Sequence, residues 1–265
     1  MNTSIAGTTR AALAQPTDNQ PPPTFDPATV DDLPAPAKRL LNRALPPDTP
    51  LNSLVELTME GKIKLGGRWL PFTADQILRA GVGFVWAPTV GNRILRFTGA
   101  DTLGPNGAHI EFRFLDRIPV VRGSGPDIDR SAAGRLAAET VAWLPQALTP
   151  QAGAHWTAID DERATVTPTT VEGRQIPVEV AVDRDGQLTW LALERWRDSA
   201  KPPGLAPFGG SVTKPYTTDT GVVIAGSGVV GWDWDTCQQA DGEFFRYTVT
   251  SARFPDPTVA NPPVD

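Results

Sequence analysis

The sequence predicts a mainly β protein: a single strongly curved antiparallel sheet, half-barrel-like, with one buried internal helix and a short N-terminal helix. Three observations carry this. Between Leu51 and Phe254 most of the chain alternates apolar and polar residues with a period of two, as strands with one covered face do. The alternating runs are short and punctuated by Gly, Pro, Asn and Asp, so successive strands pair antiparallel. One stretch breaks the pattern. In Gly123–Leu148 the residues Leu136, Thr140, Trp143 and Ala147 form one line at helical spacing, and Ala133, Ala137, Val141, Leu144 and Leu148 form another. Apolar residues on more than one face mean a helix covered on more than one side.

Taken in order, Met1 to about Val30 is polar and proline-rich, with Pro16, Pro21, Pro22, Pro23 and Pro27, and reads as an extended or disordered tail over residues 1–30. Leu33–Leu45 places Ala37, Leu40, Leu41, Ala44 and Leu45 on one side of a helix that Pro46 and Pro47 end. Strand readings follow at Val55–Leu65, Trp69 onward, Gly83–Ala87, Arg93–Thr98, His109–Leu115 and Arg117–Arg122. The internal helix is expected over residues 129–148, capped by Asp129 or Ser131 and stopped or kinked by Pro145. Beyond it lie His155–Asp160, Ala164–Pro168, Ile176–Val182, Leu188–Arg195, Gly221–Ala225, Val229–Trp234 and Phe244–Arg253. The turn Asp183–Gln187 joins the clearest hairpin. No linker-like composition divides the chain, so residues 31–256 are expected to form one domain, with a second proline-rich tail at 257–265.

Composition excludes more than it assigns. A net charge of −6 argues against nucleic acid and anionic membranes as main partners. The single Cys237 excludes an intramolecular disulfide, and no apolar run reaches the length of a membrane span. The N-terminus lacks the apolar core of a secretory signal, so a cytoplasmic location is expected. Oligomeric state is not legible.

Motifs with a known chemistry are few. Gly226-Ser-Gly228-Val-Val-Gly231 fits a dinucleotide fingerprint, but Trp232-Asp-Trp-Asp follows where a helix should open, so it reads as a glycine turn between strands. Asp183-Arg-Asp185-Gly186 echoes a calcium loop without its required glycine. His109, His155 and Cys237 do not make a common zinc site, and no metal or cofactor is expected. His155, beside Trp156, could face a cavity. The Asp233/Asp235 alternation suggests that Trp232 and Trp234 both point inward.

Four elements carry a resemblance: Leu33-Pro-Ala-Pro before the basic amphipathic helix; Ile118-Pro119-Val120 with Gly125-Pro126-Asp127; Leu136-Ala-Ala-Glu139 with Trp143-Leu-Pro145-Gln-Ala-Leu148; and Gly242-Glu243-Phe244 with Arg246. Together they resemble a bacterial and archaeal family known only as a domain of unknown function, over about Leu33 to Phe254. The expected fold is similar to the half-barrel of lipoprotein carriers and related lipid-binding proteins. The family supplies no catalytic residues.

The candidate function follows from a curved sheet closed by a helix: binding of an apolar or lipid-like small molecule between them. Trp86, Trp143 and Trp156 are the candidate apolar walls, and Arg113, Arg122, Asp127 and Glu139 the candidate polar end. Glu139 admits two readings. It forms a surface i,i+4 pair with Arg135, or it is buried in the cavity, where it fixes a head group or serves an enzyme as general acid or base on an apolar substrate.

Overall fold

The computed structural model describes residues 4–16, 20–93, 95–168 and 173–255. Its strands are β1 (Leu54–Leu65), β2 (Arg68–Arg79), β3 (Gly83–Gly91), β4 (Arg96–Gly104), β5 (Gly107–Phe114), β6 (Ile118–Ser124) and β7 (His155–Ala158). After these come β8 (Arg163–Thr167), β9 (Val178–Val182), β10 (Leu188–Arg197), β11 (Gly204–Thr217), β12 (Val223–Trp232) and β13 (Glu243–Arg253). All 13 form one antiparallel sheet in the order β6-β5-β4-β3-β2-β1-β13-β12-β11-β10-β9-β8-β7. The first and last strands pair at its centre, and β6 and β7 are its two edges; the sheet does not close.

That topology dictates where the helix goes. The chain leaves one edge at β6 and must reach the other at β7, and the helix Pro126–Trp143 makes the crossing over the concave face. A helix lying in a curved sheet has little solvent-facing surface, which is why Ala133, Leu136, Ala137, Thr140, Val141 and Trp143 are all buried. It begins earlier than the sequence suggests: Gly125 takes φ 114° ahead of Pro126 at the first helical position. Asp129 is therefore not the cap. Its Oδ1 accepts the Ala108 N–H at 2.7 Å and ties the helix to β5. Pro145 ends the helix as expected. Leu144 leaves helical geometry at φ −134°, and Pro145–Leu148 continues as a 3₁₀ turn.

The other helices are α1 (Ile5–Ala14), α2 (Ala35–Ala44), and, counting the crossing helix as α3, the short α4 (Gln239–Gly242). The α2 helix buries the apolar face read from its sequence, Ala37, Leu40, Leu41 and Ala44. The α1 helix corrects the expectation of a disordered N-terminal tail. It lies on the convex face, where Leu13 packs with Leu54, Ile77 and Val85. Burial on both faces is why the end of β2 loses its alternation. Phe25 and Val30 are buried as well. The tail expected at 257–265 lies outside the described residues.

One strand had no sequence reading and two further expectations change. The chain from Gly204 to Thr217 is a full strand despite Pro207 and Pro215, with register shifts at Lys214 and Pro215. Gly226, Gly228 and Gly231 are not a turn but the interior of β12, where they let backbones and Tyr247 approach. A Cβ on Gly228 would sit 2.4 Å from the Ser211 carbonyl oxygen and 2.9 Å from the Tyr247 ring. Trp232 and Trp234 do not share a face: Asp233 takes φ 58°, and Trp234 packs instead against Trp190, over Gly209.

Candidate functional site

Between α3 and the sheet lies a cavity of about 230 Å³. One cross-strand row forms much of its floor: Leu191, Gly210, Val230, Phe245 and Ile63 follow in register across β10, β11, β12, β13 and β1. Gly210 adds no side chain to that row, which keeps space open beside Leu191 and Val230. Trp143 and Ala142 close the roof from α3, and Phe208, Phe244 and Tyr247 complete the walls. Trp143 is fixed twice: its Nε1 donates to the Ala225 carbonyl at 3.1 Å, and its ring meets Tyr247 edge-on at 5.5 Å. Burial, with the Glu139 charge adding to it, raises the Tyr247 pKa well above the ordinary phenol range, so this wall stays neutral.

The other end of the cavity is charged. Arg135 sits between two carboxylates, with Nη1 2.6 Å from Asp101 Oδ2 and Nε 2.6 Å from Glu139 Oε1. Its guanidinium lies over the rings of Phe84 and Trp86, at 4.5 and 5.2 Å. Gln76 Nε2 donates to the second oxygen of Glu139 at 2.6 Å. Burial opposes the charge on Arg135, but Glu139 and Asp101 outweigh it and its pKa ends raised. For Asp101 the balance runs the other way: burial raises its pKa more than Arg135 and Arg195 lower it.

Arg195 is the fourth member, and it is less engaged. Its Nε donates to the Ser131 carbonyl at 3.0 Å and its Nη2 to Ser131 Oγ at 3.3 Å. The guanidinium lies over Phe208 and Trp232, at 4.5 and 5.1 Å. Among the described residues no carboxylate comes within ion-pair distance of it. Burial, with the Arg135 charge next, brings its pKa down to about 10. Trp86 Nε1 and Gln76 Oε1 are also buried without a partner among the described residues.

Of the residues expected to form a site, the structure brings Trp86, Glu139 and Trp143 together around this cavity. The rest lie elsewhere. Arg113 and Arg122 project from β5 and β6 and share Glu111 Oε1, at 2.9 and 3.2 Å on an exposed surface. Asp127 faces solvent in the first turn of α3, 3.8 Å from Arg130. Trp156 holds the segment after α3 by donating to the Leu148 carbonyl at 2.8 Å. His155 is exposed on the edge strand rather than turned to a cavity. The i,i+4 pair of Arg135 and Glu139 does form, but in the interior.

Sequence reasoning passed over Asp101 and Arg195, and read Arg135 only as a surface partner of Glu139. The signal for Arg195 was present: it shares parity with Leu191 and Leu193, so a charge stands on the apolar face of β10. Asp101 likewise shares parity with Leu103 on β4. A charge in register with an apolar stripe needs a partner or a purpose, and here the two charges meet at one cavity.

Comparison with solved structures finds chains of similar overall architecture and low identity. A DUF1329 family protein from Desulfovibrio piger aligns with a TM-score of 0.42 at 11% identity, covering 87% of this chain and 94% of that one. An outer membrane lipoprotein-sorting protein domain from Vibrio parahaemolyticus aligns at 0.42 and 10% identity, covering 76% and 85%. A LolA superfamily protein from Nitrosomonas europaea aligns at 0.41 and 8%, covering 83% and 92%. No curated protein matches the sequence. The expected cytoplasmic location is corrected at this point. Chains of like architecture include that outer membrane lipoprotein-sorting domain, and the features behind the expectation, one cysteine and no leader-like run, do not separate the cytoplasm from an export compartment. Residues 23–244, which take in twelve of the strands, the whole α3 crossing and the cavity lining except Phe245 and Tyr247, match the model of a family of unknown function, DUF6544, and the chain belongs to that family.

Proposed function

We propose that the protein binds an apolar or lipid-like small molecule in the cavity beneath α3, with its apolar part on the Leu191–Val230–Phe245–Ile63 floor. The observation that carries this reading is the composition of the cavity: apolar and aromatic walls with polar groups converging at one end only. At that end Arg195 Nη1 and Trp86 Nε1 are donors not consumed by protein acceptors among the described residues. They suit a head group that presents acceptor oxygens, such as a carboxylate, ester or phosphate. The geometry gives less to an enzyme. Both oxygens of Glu139 are engaged, one by Arg135 and one by Gln76, which leaves it poorly placed to hand a proton to a substrate.

The test is to purify the protein, extract it in organic solvent and identify by mass spectrometry what it retained, with Val230→Phe as the comparison. Val230→Phe fills the floor while keeping an apolar side chain. Wild type should retain, or take up from solution, a defined amphiphile such as a fluorescent fatty acid, and the variant should lose it. If neither protein retains anything nor binds the fatty acid, the reading fails. Equal binding by both would place the ligand elsewhere.

A further inference from the structure

Five connections, β1–β2, β3–β4, β5–β6, β10–β11 and β12–β13, lie at the same end of the sheet, because β1 through β6 and β10 through β13 run alternately up and down. The cavity extends from the middle of the sheet toward that end. Ile63 stands near the end of β1, Val230 near the end of β12, and Phe244 and Phe245 open β13. The opposite end is filled by α2 and the segment after α3, with Leu40, Leu41 and Leu148 in the core.

On the β1–β6 side of the cavity end, three successive tips repeat one composition. The β1–β2 tip exposes Leu65 beside Arg68, and the β3–β4 tip exposes Leu95 between Arg93 and Arg96. The β5–β6 tip exposes Leu115 and Ile118, 44% and 58% accessible, around Arg117. The last two tips are joined, since the Leu115 N–H donates to the Arg96 carbonyl at 2.9 Å. Leu115 is also held at φ 50°, the left-handed region that asparagine or glycine fills in most tight hairpins. A leucine kept there, strained and facing water, is not explained by packing. Nor is the charge explained by pairing. Asp116 is the one acid on these tips, and Arg96 and Thr98 engage it. Arg68, Arg93 and Arg117 have no carboxylate within ion-pair distance among the described residues. The other acids of this end lie across the sheet: Asp235, Asp241 and the ion-paired Asp233 and Glu243 on the β12–β13 side, and Asp198 on the β10–β11 connection.

We propose that these three tips dock on an anionic lipid surface and hold the cavity end of the sheet against it. Leucine and isoleucine side chains on these tips enter the boundary between head groups and acyl chains, while the arginines beside them stay among the lipid phosphates. Charge complementarity chooses this partner: the cations stand unpaired on a chain whose net charge is −6, so the local excess opposes the average. The acidic β12–β13 side then orients the molecule, because only one flank of this end is attracted.

Vesicle flotation tests the proposal, using phosphatidylcholine alone and phosphatidylcholine mixed with phosphatidylglycerol. Wild type should float with the mixed vesicles and not the neutral ones, and added salt should weaken it. Arg93→Glu/Arg117→Glu should lower partitioning by about tenfold or more, since each cation near such a surface counts and here two are reversed. Leu115→Ser/Ile118→Ser should lower it at every salt concentration. Absence of flotation, equal flotation with neutral vesicles, or an unaffected arginine variant overturns the proposal. So does a dimer in solution that Ile118→Ser dissolves without any vesicle binding, which would assign the tips to a second copy of the chain. The arginine variant is also extracted for retained ligand. Ligand kept while flotation is lost separates failure of docking from failure of the cavity reading, and flotation without any retained ligand separates them the other way.

Discussion

Two buried arginine sites lie on opposite faces of the same sheet, and they use the guanidinium differently. On the convex face Arg79 donates to the carbonyls of Leu13 and Gln15, at 2.7 and 3.0 Å, and to Ser53 Oγ at 3.2 Å. These carbonyls end α1, so Arg79 is a cation capping the negative end of a helix. On the concave face Arg135 is filled by two carboxylates, and Arg195 beside it donates only to Ser131 among the described residues. Burial lowers the pKa of Arg79 and of Arg195 alike. Burial of a cation therefore does not mark a binding site. What the proposed ligand would need is donors not already consumed: those of Arg79 are taken by carbonyls and a hydroxyl, and among the described residues Arg195 donates to Ser131 alone.

The comparison can be broken most strongly at Arg135. Arg135→Met leaves Asp101 and Glu139 without their shared cation, and removing one member of a buried ionic group costs about 3–5 kcal/mol. Urea unfolding should show that loss, and adding Asp101→Asn and Glu139→Gln should recover a large part of it. No recovery would mean that Arg135 matters for packing on Phe84 and Trp86 rather than for charge. At the convex site Arg79→Met strands the end of α1, with an expected loss of about 2–3 kcal/mol from several orphaned acceptors. Here a second readout is available. Arg10 lies within α1, so limited trypsin digestion should cut there in the variant and not in wild type. Unchanged protection of Arg10 would show that Leu13 and its apolar neighbours hold the helix without the arginine.

The two faces also differ in how far they could be read from sequence. The concave layer was legible because its signals are local: alternation in the strands, two-sided apolar spacing in α3, and Pro145 at its end. Trp86, Glu139 and Trp143 were reached by asking what those elements would enclose. The convex layer was not legible, because α1 carries few large apolar residues and is held by Leu13 and by Arg79, 66 positions away. A helix fixed by a distant guanidinium looks like a polar tail until the sheet exists. The same limit hid the charged cluster. Arg135 and Glu139 are neighbours on one helix, but Asp101 and Arg195 reach them from β4 and β10, on opposite halves of the sheet. Arg113, Arg122 and Asp127 were selected by nearness in sequence to α3. Strand alternation turns Arg113 away from the face that Ala108 and Phe112 cover, Arg122 stands opposite Glu111 on that outer face, and Asp127 lies in the solvent-facing first turn of α3.

The smallest effect separates burial from pairing most directly, through the sign of a pH dependence. Asp101 is paired with Arg135, yet burial leaves its folded pKa above the ordinary carboxylate value. Between the unfolded and the folded pKa the native state then binds more protons than the unfolded state, so stability falls as pH rises through that window and is level above it. The exposed Glu111 behaves oppositely. Hydrogen bonds from Arg113 and Arg122 hold its pKa below the usual range, so its contribution is present above the unfolded value and is lost as pH falls through the folded one. Urea melts of wild type, Asp101→Asn and Glu111→Gln across the acid range should thus give two difference curves of opposite slope, both shallow, the Glu111 curve the shallower because solvent screens it. If the Asp101 curve instead slopes like the Glu111 curve, pairing with Arg135 outweighs burial at the polar end of the cavity. The Arg135 cluster would then be a closed ionic lock, its donors consumed as those of Arg79 are by carbonyls and a hydroxyl, and the capacity proposed for the concave face would rest on Arg195 and Trp86 alone.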